Sequence, residues 1–315
     1  MDVVSIGESM ILFTPESKGL MRYASHFSSK MAGAETNTLI GLSRLGHSTG
    51  WISRVGRDEF GAALLAAVRA EGVNIDHVKE DSDAPTGIYF KELVNEDIAR
   101  IYYYRKHSAA SRISPEDLQE DYIRKAKYLY LTGITPALSE SCEKTVFHSI
   151  ELAKKSNVKI VFDPNLRRKL WEEEKARKTL LDIAALADIV LPGISEGQFL
   201  FDKAGYEDIA EEFLQLGASV VVVKLGERGA YFSTRHEVQL VPGYKVSRVV
   251  DPVGAGDGFA AGFLSGLLDG APIKEAVLKG NAVGAVVTTV NGDIEGLPDR
   301  DLLASFIQQG EDVSR

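Results

Sequence analysis

Residues 251–262 read DPVGAGDGFAAG and are the most informative stretch of this sequence. The β-branched run 245–250 before them predicts a strand, and the small residues that follow predict a helix. Gly254 and Gly256 let the backbone turn sharply and direct its N–H groups at an anion. The positive end of the helix dipole lies at the same point. The stretch therefore predicts an anion-binding turn at the start of a helix.

Asp257 is the acidic residue of this turn. We expect the helix dipole to favour its ionised form, which can accept the proton of a hydroxyl that attacks a phosphoryl group. The alternative is a glycine turn, capped by Asp257, that only begins a tightly packed helix; the length of the string favours the chemical interpretation. The sequence contains neither GxxxxGK[ST] nor the HRD and DFG elements, so phosphoryl transfer would use another scaffold.

Strand-like apolar runs alternate with amphipathic stretches along the whole chain. The predicted strands are Val3–Ile6, 127–131, 159–162, 188–191 and 219–224. The predicted helices are 36–45, 58–70, 139–155 and 209–216, with Asp58 and Ser139 as N-caps and Gly46, Gly72 and Gly217 as C-terminal stops. Such alternation predicts a mostly parallel sheet covered on both faces, with ligands bound at the carboxyl ends of its strands.

Two consecutive segments, 86–94 and 99–106, interrupt this alternation. Both are rich in tyrosine and β-branched residues, and the polar turn 95–97 joins them, so they predict a hairpin. We interpret the hairpin as a lid over the cleft; the alternative is an edge hairpin of the main sheet. Nothing else in the sequence marks a second domain, so we expect one domain over 1–315 with a lid that includes about 86–106.

Composition limits the classes of function. The chain has 315 residues, 44% hydrophobic, and a formal net charge of −9, which argues against non-specific nucleic-acid binding. An anionic ligand would need a local cationic pocket. The single cysteine excludes an intrachain disulfide, the six histidines show no ligand spacing, and no apolar run approaches the ~18 residues of a membrane span. We expect a cytoplasmic protein without a protein-only metal site.

The sequence resembles the ribokinase-like (PfkB) carbohydrate kinase family over nearly its whole length. The resemblance is carried by the string at 251–262, by VVSIGE at 3–8, by GAETN at 33–37 and by DPNLR at 163–167. It implies a three-layer α/β/α domain with a small β lid that often helps to form a dimer. It also implies in-line transfer from Mg-ATP, with Asp257 as the base and the amides of Gly254, Ala255 and Gly256 holding the phosphoryl group.

Within this family, three segments are similar to the enzymes that phosphorylate 2-keto-3-deoxygluconate: 102–111, 131–138 and 291–296. The resemblance implies that the sugar-acid pocket is lined by Gly33, Asn37, Tyr89, Tyr103, Arg105, Arg167 and Asp293. Arg105 on the lid and Arg167 after a predicted strand suit a carboxylate, because a guanidinium is a planar fork that matches it.

Each of these assignments has an alternative. Arg105 would otherwise be an exposed lid charge beside Glu92 or Glu96, and Arg167 part of a solvated basic run. The lid tyrosines would otherwise form a hydrophobic dimer face; we expect Tyr89 and Tyr103 to face the ligand.

The nucleotide side is predicted from two loops. Residues 224–230, KLGERGA, resemble the nucleotide-flanking loop of the family, which makes Lys224, Gly226 and Gly229 candidates for ATP binding; a plain hairpin turn is the alternative. Asn165 is a candidate for phosphate or metal-bound water, or else it makes a turn.

The metal ligands depart from the pattern of the family. Many relatives carry Asn-x-x-Glu, whereas here Gly193 replaces the asparagine before Glu196. We therefore expect Mg2+ to be held through water and ATP oxygens, with Glu196 acting through water. Asp251 is a candidate ligand for a monovalent cation such as K+, as in several relatives; a structural role in the turn is the alternative.

Three other functions compete with a 2-keto-3-deoxygluconate kinase. The first is a fructokinase or ribokinase of the same fold, which would share Asp257 and differ in the pocket. The second is a non-catalytic sensor of a sugar acid or nucleotide, against which the intact GAGD turn argues. The third is a dinucleotide-binding oxidoreductase, which the absence of GxGxxG after the first strand disfavours. Use of the C4 epimer, 2-keto-3-deoxygalactonate, stays open.

Overall fold

The computed structural model describes residues 1–95 and 98–313. Its larger sheet has nine strands among the described residues, in the spatial order β13-β12-β11-β10-β9-β8-β1-β4-β5. These strands are β1 Val3–Ile6, β4 Thr49–Gly56, β5 Asn74–Asp81, β8 Tyr128–Thr132, β9 Lys159–Asp163, β10 Ile189–Val190, β11 Val220–Lys224, β12 Ala230–Thr234 and β13 Val238–Val241. Only β12 and β13 join antiparallel, so the predicted mostly parallel sheet is confirmed.

Helices cover both faces of this sheet. They are α1 Ala34–Arg44, α2 Glu59–Ala70, α3 Glu120–Ile123, α4 Thr135–Leu138, α5 Glu140–Lys155, α6 Glu173–Ala184, α7 Ile194–Phe201, α8 Tyr206–Leu216, α9 Ala255–Leu268, α10 Ile273–Val287 and α11 Arg300–Val313. Successive strand residues point to opposite faces: Val3 packs into a core shared with α1, α2, α9, α10 and α11. Val4 packs into a second core shared with α5, α6, α7 and α8. The three-layer α/β/α architecture is confirmed.

The local signals for helix ends hold in the structure. Asp58 Oδ1 accepts the Gly61 N–H at 2.8 Å, and Ser139 Oγ accepts the Cys142 N–H at 3.1 Å, so both predicted N-caps are confirmed. Helices α1, α2 and α8 are followed by Gly46, Gly72 and Gly217, each with a positive φ that favours glycine. Within the described residues, no helix combines the length and the apolar composition needed to cross a bilayer.

The predicted hairpin belongs to a separate sheet of four strands, in the order β3-β2-β6-β7. These strands are β2 Met10–Pro15, β3 Phe27–Ala32, β6 Ile88–Leu93 and β7 Ala99–Tyr104. The alternative of an edge hairpin of the main sheet is therefore wrong. Part of the predicted turn 95–97 lies outside the described residues, namely Glu96 and Asp97. This four-stranded sheet, called the lid below, also contains β2 and β3, which the sequence analysis did not predict.

The predicted strand over 245–250 is wrong. These residues form no strand in the structure, and Val249 and Val250 are about half exposed. The segment joins the end of β13 to the start of α9, and none of the residues 245–250 pairs with a strand. The Val250 and Asp251 N–H groups both donate to the Thr288 carbonyl oxygen at the end of α10, which holds the entry to the glycine turn.

Candidate active site

A cavity of about 370 Å³ lies between the carboxyl end of the main sheet and the inner face of the lid. This is the edge at which a parallel sheet binds ligands. It brings together thirteen of the predicted site residues: Gly33, Asn37, Tyr89, Tyr103, Arg105, Asn165, Arg167, Glu196, Lys224, Gly254, Gly256, Asp257 and Asp293. Four others, Ala255, Gly226, Gly229 and Asp251, do not line it.

The glycine turn opens α9 directly at this cavity. Gly254 is the N-cap and has φ 79°, and a Cβ at this position would lie 2.8 Å from the Asp293 carbonyl oxygen. Glycine is therefore required by both conformation and space. Ala255 begins the helix and Asp257 lies in its first turn, so the start of α9 lies at the cavity, while the Ala255 N–H donates to the Pro252 carbonyl oxygen at 3.4 Å. The turn has the geometry of an anion site.

Asp257 is buried beside a neutral hydrogen-bond donor. Its Oδ2 accepts the Asn37 Nδ2–H at 2.8 Å, across 220 residues of sequence. Burial raises the pKa of Asp257 to about 7, against the lowering effect of the Asn37 hydrogen bond. The expected effect of the helix dipole, which favours the ionised form, is opposed here by desolvation of the buried carboxyl. A pKa near neutral suits a general base.

Asp293 is a second buried carboxyl at the same end of the cavity. Burial raises its pKa to about 6, against lowering effects of the Asn37 hydrogen bond and the Lys91 ammonium. Among the described residues, Asn37 Oδ1 is buried without a hydrogen-bond partner. An unsatisfied buried acceptor is costly, so a donor from a ligand would stabilise this end of the cavity.

Arg105 is held by a buried glutamate at the end of the first strand. The Arg105 Nε and Nη2 atoms lie 2.7 and 2.5 Å from Glu8 Oε2. The Ser108 hydroxyl donates to the other carboxylate oxygen, Glu8 Oε1, at 2.5 Å. Its guanidinium carbon lies 5.5 Å from the centroid of the Tyr103 ring. The alternative of an exposed lid charge beside Glu92 or Glu96 is wrong, since Arg105 is only 7% exposed.

The lid tyrosines divide between two faces. Tyr89 and Tyr103 pair across β6 and β7 with ring centroids 5.4 Å apart, and both line the cavity. Tyr102 and Tyr104 point to the outer face, where the Tyr102 hydroxyl donates to Glu92 Oε2 at 3.2 Å. The alternation of side chains along a strand accounts for the division.

Arg167 and Arg168 diverge although they are adjacent. Arg167 is exposed at the mouth of the cavity and lines it. Arg168 instead lies over the Phe199 ring, with 5.1 Å from its guanidinium carbon to the ring centroid. All three residues of the basic run are exposed, and only its first arginine lines the cavity.

Lys224 and two carboxylates form a cluster on the nucleotide side. Lys224 Nζ lies 2.5 Å from Asp163 Oδ2, and 3.7 Å from the position of a Cβ at Gly256. Burial lowers the pKa of Lys224, but Asp163 and Glu196 outweigh it, so the net shift is upward and the ammonium is charged. A fixed positive charge therefore stands beside the anion-binding turn.

Glu196 caps its own helix. Its Oε2 accepts the Gly193 N–H at 2.6 Å and its Oε1 accepts the Leu166 N–H at 3.0 Å. Burial and the nearby Asp163 raise its pKa. The glutamate that was predicted to act through water thus first fixes the start of α7 and the loop after β9.

The loops predicted to flank the nucleotide make turns in the structure. Gly226 and Gly229, with φ 63° and 94°, bound a short helical turn between β11 and β12. A Cβ at Gly229 would lie 2.1 Å from the Val241 carbonyl oxygen, so this glycine permits close packing of the turn. Asn165 has φ 35°, its N–H donates to Asp163 Oδ1 at 3.2 Å, and it also lines the cavity.

Asp251 carries a partner that the sequence analysis missed. Lys91 Nζ on β6 lies 2.7 Å from Asp251 Oδ2, and Lys91 lines the cavity. The signal was available, since Lys91 follows Tyr89 by two residues and must share its face of the strand. Glu8 and Asp163 were quoted only as parts of motifs.

Glu35 is a third acidic residue of the cavity that the sequence analysis quoted only as part of a motif. It is fully buried in the cavity wall, and its Oε1 accepts the Thr132 and Thr135 hydroxyls at 2.6 and 2.8 Å. Burial raises its pKa, against the two threonine hydrogen bonds. Its spacing in the sequence gave no signal, because the threonines come from a distant strand and helix.

No group of three or more metal-ligating side chains occurs within residues 1–95 and 98–313. Asp163 and Glu196 keep lone pairs beyond the contacts described above. Such oxygens can accept hydrogen bonds from metal-bound water, which fits a Mg2+ ion that keeps several of its waters.

Comparison with known proteins gives a consistent result. Residues 1–300 match the pfkB family carbohydrate kinase model. The chain is 43% identical over 309 residues to a 2-dehydro-3-deoxygluconokinase of Bacillus subtilis (strain 168), covering 98% of this chain and 95% of that protein. It is 35% identical over 300 residues to a 2-dehydro-3-deoxygluconokinase of Thermoproteus tenax, covering 94% and 91%. A solved structure of a candidate ribokinase II from E. coli, in complex with ATP and Mg2+, superposes with a TM-score of 0.92 at 26% identity, covering 98% of this chain and 99% of the other.

Proposed function

The chain belongs to the pfkB family of carbohydrate kinases, and from this premise we propose that it phosphorylates 2-keto-3-deoxygluconate, also named 2-dehydro-3-deoxygluconate. The products are 2-keto-3-deoxy-6-phosphogluconate and ADP. The observation that carries the proposal is that two arginines, Arg105 and Arg167, line the same cavity as Asp257. A sugar acid brings a carboxylate for the arginines and a hydroxyl for the aspartate.

The reaction follows from the placement of these groups. Asp257 accepts the proton of the substrate hydroxyl as its oxygen bonds to the γ-phosphorus of ATP, and the bond to the β-phosphate oxygen breaks to release ADP. The N–H groups of Gly254, Ala255 and Gly256 bind the transferring phosphoryl group at the start of α9. Lys224 adds a positive charge beside the same turn.

Recognition of the sugar acid is assigned to the inner face of the lid and the opposite wall. Arg105 is held on Glu8, which fixes the direction of its remaining N–H groups, and Arg167 approaches from the main domain. The other proposed contacts come from Gly33, Asn37, Tyr89, Tyr103 and Asp293. The lid and the main sheet together act in this proposal as one kinase domain over 1–315.

The proposed cofactor is Mg-ATP. Asp163, Asn165 and Glu196 lie where they can hydrogen-bond to water on Mg2+, which neutralises phosphate charge when bound. Gly226 and Gly229 stay proposed as the turn past which the nucleotide lies. Potassium is left out of the proposed cofactors, because Lys91 already occupies the carboxylate of Asp251.

Two further proposals concern the setting of the enzyme. We propose that it works in the cytoplasm, since its phosphoryl donor is ATP. We also propose that two copies pair through the outer face of the lid, where Phe27, Phe90 and Tyr104 form an aromatic cluster with centroid distances of 5.8 Å.

The test is ADP release with Mg-ATP on 2-keto-3-deoxygluconate, its C4 epimer 2-keto-3-deoxygalactonate, fructose, ribose and a blank without sugar. Turnover on the sugar acids and not on the neutral sugars would support the proposal. Turnover on fructose or ribose alone would assign the chain to another sugar kinase of this family. Tight binding of a sugar acid without turnover would point to a sensor.

A further inference from the structure

An ion pair joins the lid to the loop that leads into the anion-binding turn. Lys91 Nζ lies 2.7 Å from Asp251 Oδ2, and the two side chains are only 17% and 8% exposed. Lys91 lies on the inner face of β6, and Asp251 lies three residues before Gly254. The lid therefore delivers a positive charge to the start of the turn.

Both oxygens of the Asp251 carboxylate are already in use. Oδ2 carries the Lys91 ammonium, and Oδ1 accepts the Val253 N–H at 3.1 Å. The backbone N–H of Asp251 is held by the Thr288 carbonyl oxygen. The carboxylate is thus fixed in direction and neutralised from within the protein.

These residues do not fit a potassium ion at Asp251. Such an ion would bind Oδ2 and would then lie within a few ångströms of the Lys91 ammonium. Two like charges at that separation, shielded from water, repel strongly. An ammonium is itself a compact point charge, so it meets the same electrostatic need.

We infer that the Lys91 ammonium is the fixed cation of this active site. It takes the place beside Asp251 that the family resemblance gives to a monovalent ion, so the enzyme needs no such ion. The inference rests on phosphoryl transfer and not on the choice of sugar acid.

The positive charge of Lys91 neutralises Asp251 beside the anion-binding turn. Asp251, Asp257 and Asp293 are all buried around the turn that must bind a phosphoryl group. An unpaired carboxylate at Asp251 would oppose the approach of that anion through the low-dielectric interior. Lys91 acts through Asp251 and the turn, so it is a positioning residue.

The test compares wild type, Lys91→Met and Lys91→Arg in four chloride salts at equal ionic strength: potassium, ammonium, sodium and tetramethylammonium. ADP release is measured on whichever sugar or sugar acid the wild type uses best, so a wrong substrate assignment does not affect the result. We expect wild-type kcat/KM to agree within about twofold among the salts. Lys91→Met should lose about 100-fold in tetramethylammonium and recover at least about tenfold in potassium or ammonium. Lys91→Arg should stay within about tenfold of wild type.

Lys159→Met is the matched control. Lys159 Nζ also lies 2.7 Å from an aspartate oxygen, that of Asp188, but the pair is exposed at the opposite end of β9 from the cavity. This variant should behave as wild type in every salt. Thermal unfolding of each variant separates loss of fold from loss of the charge.

Three results would overturn the inference. The first is that potassium raises the kcat/KM of the wild type by more than about fivefold. This result would overturn the inference even if Lys91→Met does not fold. The second is full activity of Lys91→Met in tetramethylammonium. The third is a folded Lys91→Met that neither potassium nor ammonium restores, which would mean that Lys91 contacts the substrates directly.

Discussion

The position of Asp257 has two features that affect the ionisation of its carboxyl group in opposite directions. The start of α9 favours the ionised carboxylate, whereas burial disfavours it. The balance raises the pKa to about 7, so at neutral pH a large share of the carboxyl is protonated before substrate binds. A group that must be ionised to accept a proton then limits the rate on the acid side.

We expect kcat/KM to rise with pH through a midpoint near 7, because only the ionised fraction of Asp257 acts as a base. Below the midpoint the value should fall about tenfold per pH unit. Asp257→Asn should lower kcat by about 10²- to 10⁴-fold and still bind substrate. Asp208→Asn, in the first turn of α8, is the control and should leave both the profile and the rate unchanged. The measurement covers pH 5 to pH 8. A kcat/KM that does not change over this range would contradict the role of Asp257.

Arg167 offers the cleaner test of carboxylate recognition, because Arg105 also holds the buried Glu8. Arg167→Ala should lower kcat/KM on the sugar acid by about 10- to 100-fold, the size of a lost charge-assisted hydrogen bond. Steady-state kinetics on the sugar acid measure it, and Lys169→Ala, an exposed neighbour, should have no effect. Equal kinetics of Arg167→Ala and Lys169→Ala would remove Arg167 from the recognition site.

At the scale of elements, the sequence predicted what is encoded locally. The caps Asp58 and Ser139 and the glycine stops were legible because each depends on a few adjacent residues. The strand predicted over 245–250 failed because β-branched residues favour a strand only where a neighbouring strand accepts their hydrogen bonds. Strand β2 was missed because it pairs with β6 of the hairpin, a distant segment, and β3 was missed with it because β3 pairs only with β2.

Helices α9 and α10 pack so closely at Gly262 that an alanine there should destabilise the protein, which is the opposite of what helix propensity predicts. A Cβ at Gly262 would lie 2.6 Å from the Lys279 carbonyl oxygen and 2.9 Å from the Gly280 Cα, both backbone atoms. Helix propensity alone would make Gly262→Ala stabilising by about 1 kcal/mol. The clash should instead make it destabilising by about 1–3 kcal/mol.

Urea unfolding monitored by circular dichroism measures the sign of this change. Ser305→Ala, on the exposed side of α11, is the control for propensity without a clash and should change stability by less than about 0.5 kcal/mol. A higher unfolding midpoint for Gly262→Ala would show that the two helices can separate without cost. In that case the Gly262→Ala variant would give no information on how α9 fixes the position of Asp257.

At the scale of the whole molecule, the active site is assembled from pieces that lie far apart in the sequence. Asn37 reaches Asp257 across 220 residues, and Lys91 reaches Asp251 across 160. The motif at 251–262 predicted Asp257 and the glycine turn, and the resemblance to the family predicted Arg105. The strand pattern could have placed Lys91 on the inner face of the lid, but the pairing of Lys91 with Asp251 and of Glu8 with Arg105 depends on how the lid docks on the main sheet.

The lid also has an outer face. The Phe90 ring contacts the rings of Phe13, Phe27 and Tyr104 there, with centroid distances of 5.3 to 5.8 Å, while Tyr104 is 63% exposed. The inner face, which includes Tyr89, lines the cavity, and Tyr89 packs there with Met10, Leu12 and Ala32 of the same sheet. An exposed aromatic surface of this kind favours contact with another protein surface, and a second copy of the lid would offer the same residues.

We therefore expect sedimentation analysis to find a dimer whose population depends on concentration. Tyr104→Glu should shift it towards the monomer by placing a charge in the aromatic face, where desolvation is costly. Leu302→Glu, at an exposed apolar position on α11, should leave the dimer unchanged. Because β6 and β7 carry Tyr104 on one face and Tyr89, Lys91 and Tyr103 on the other, loss of the dimer should also raise KM for the sugar acid. A monomeric wild type with full activity would show that the lid is ordered by the main domain alone.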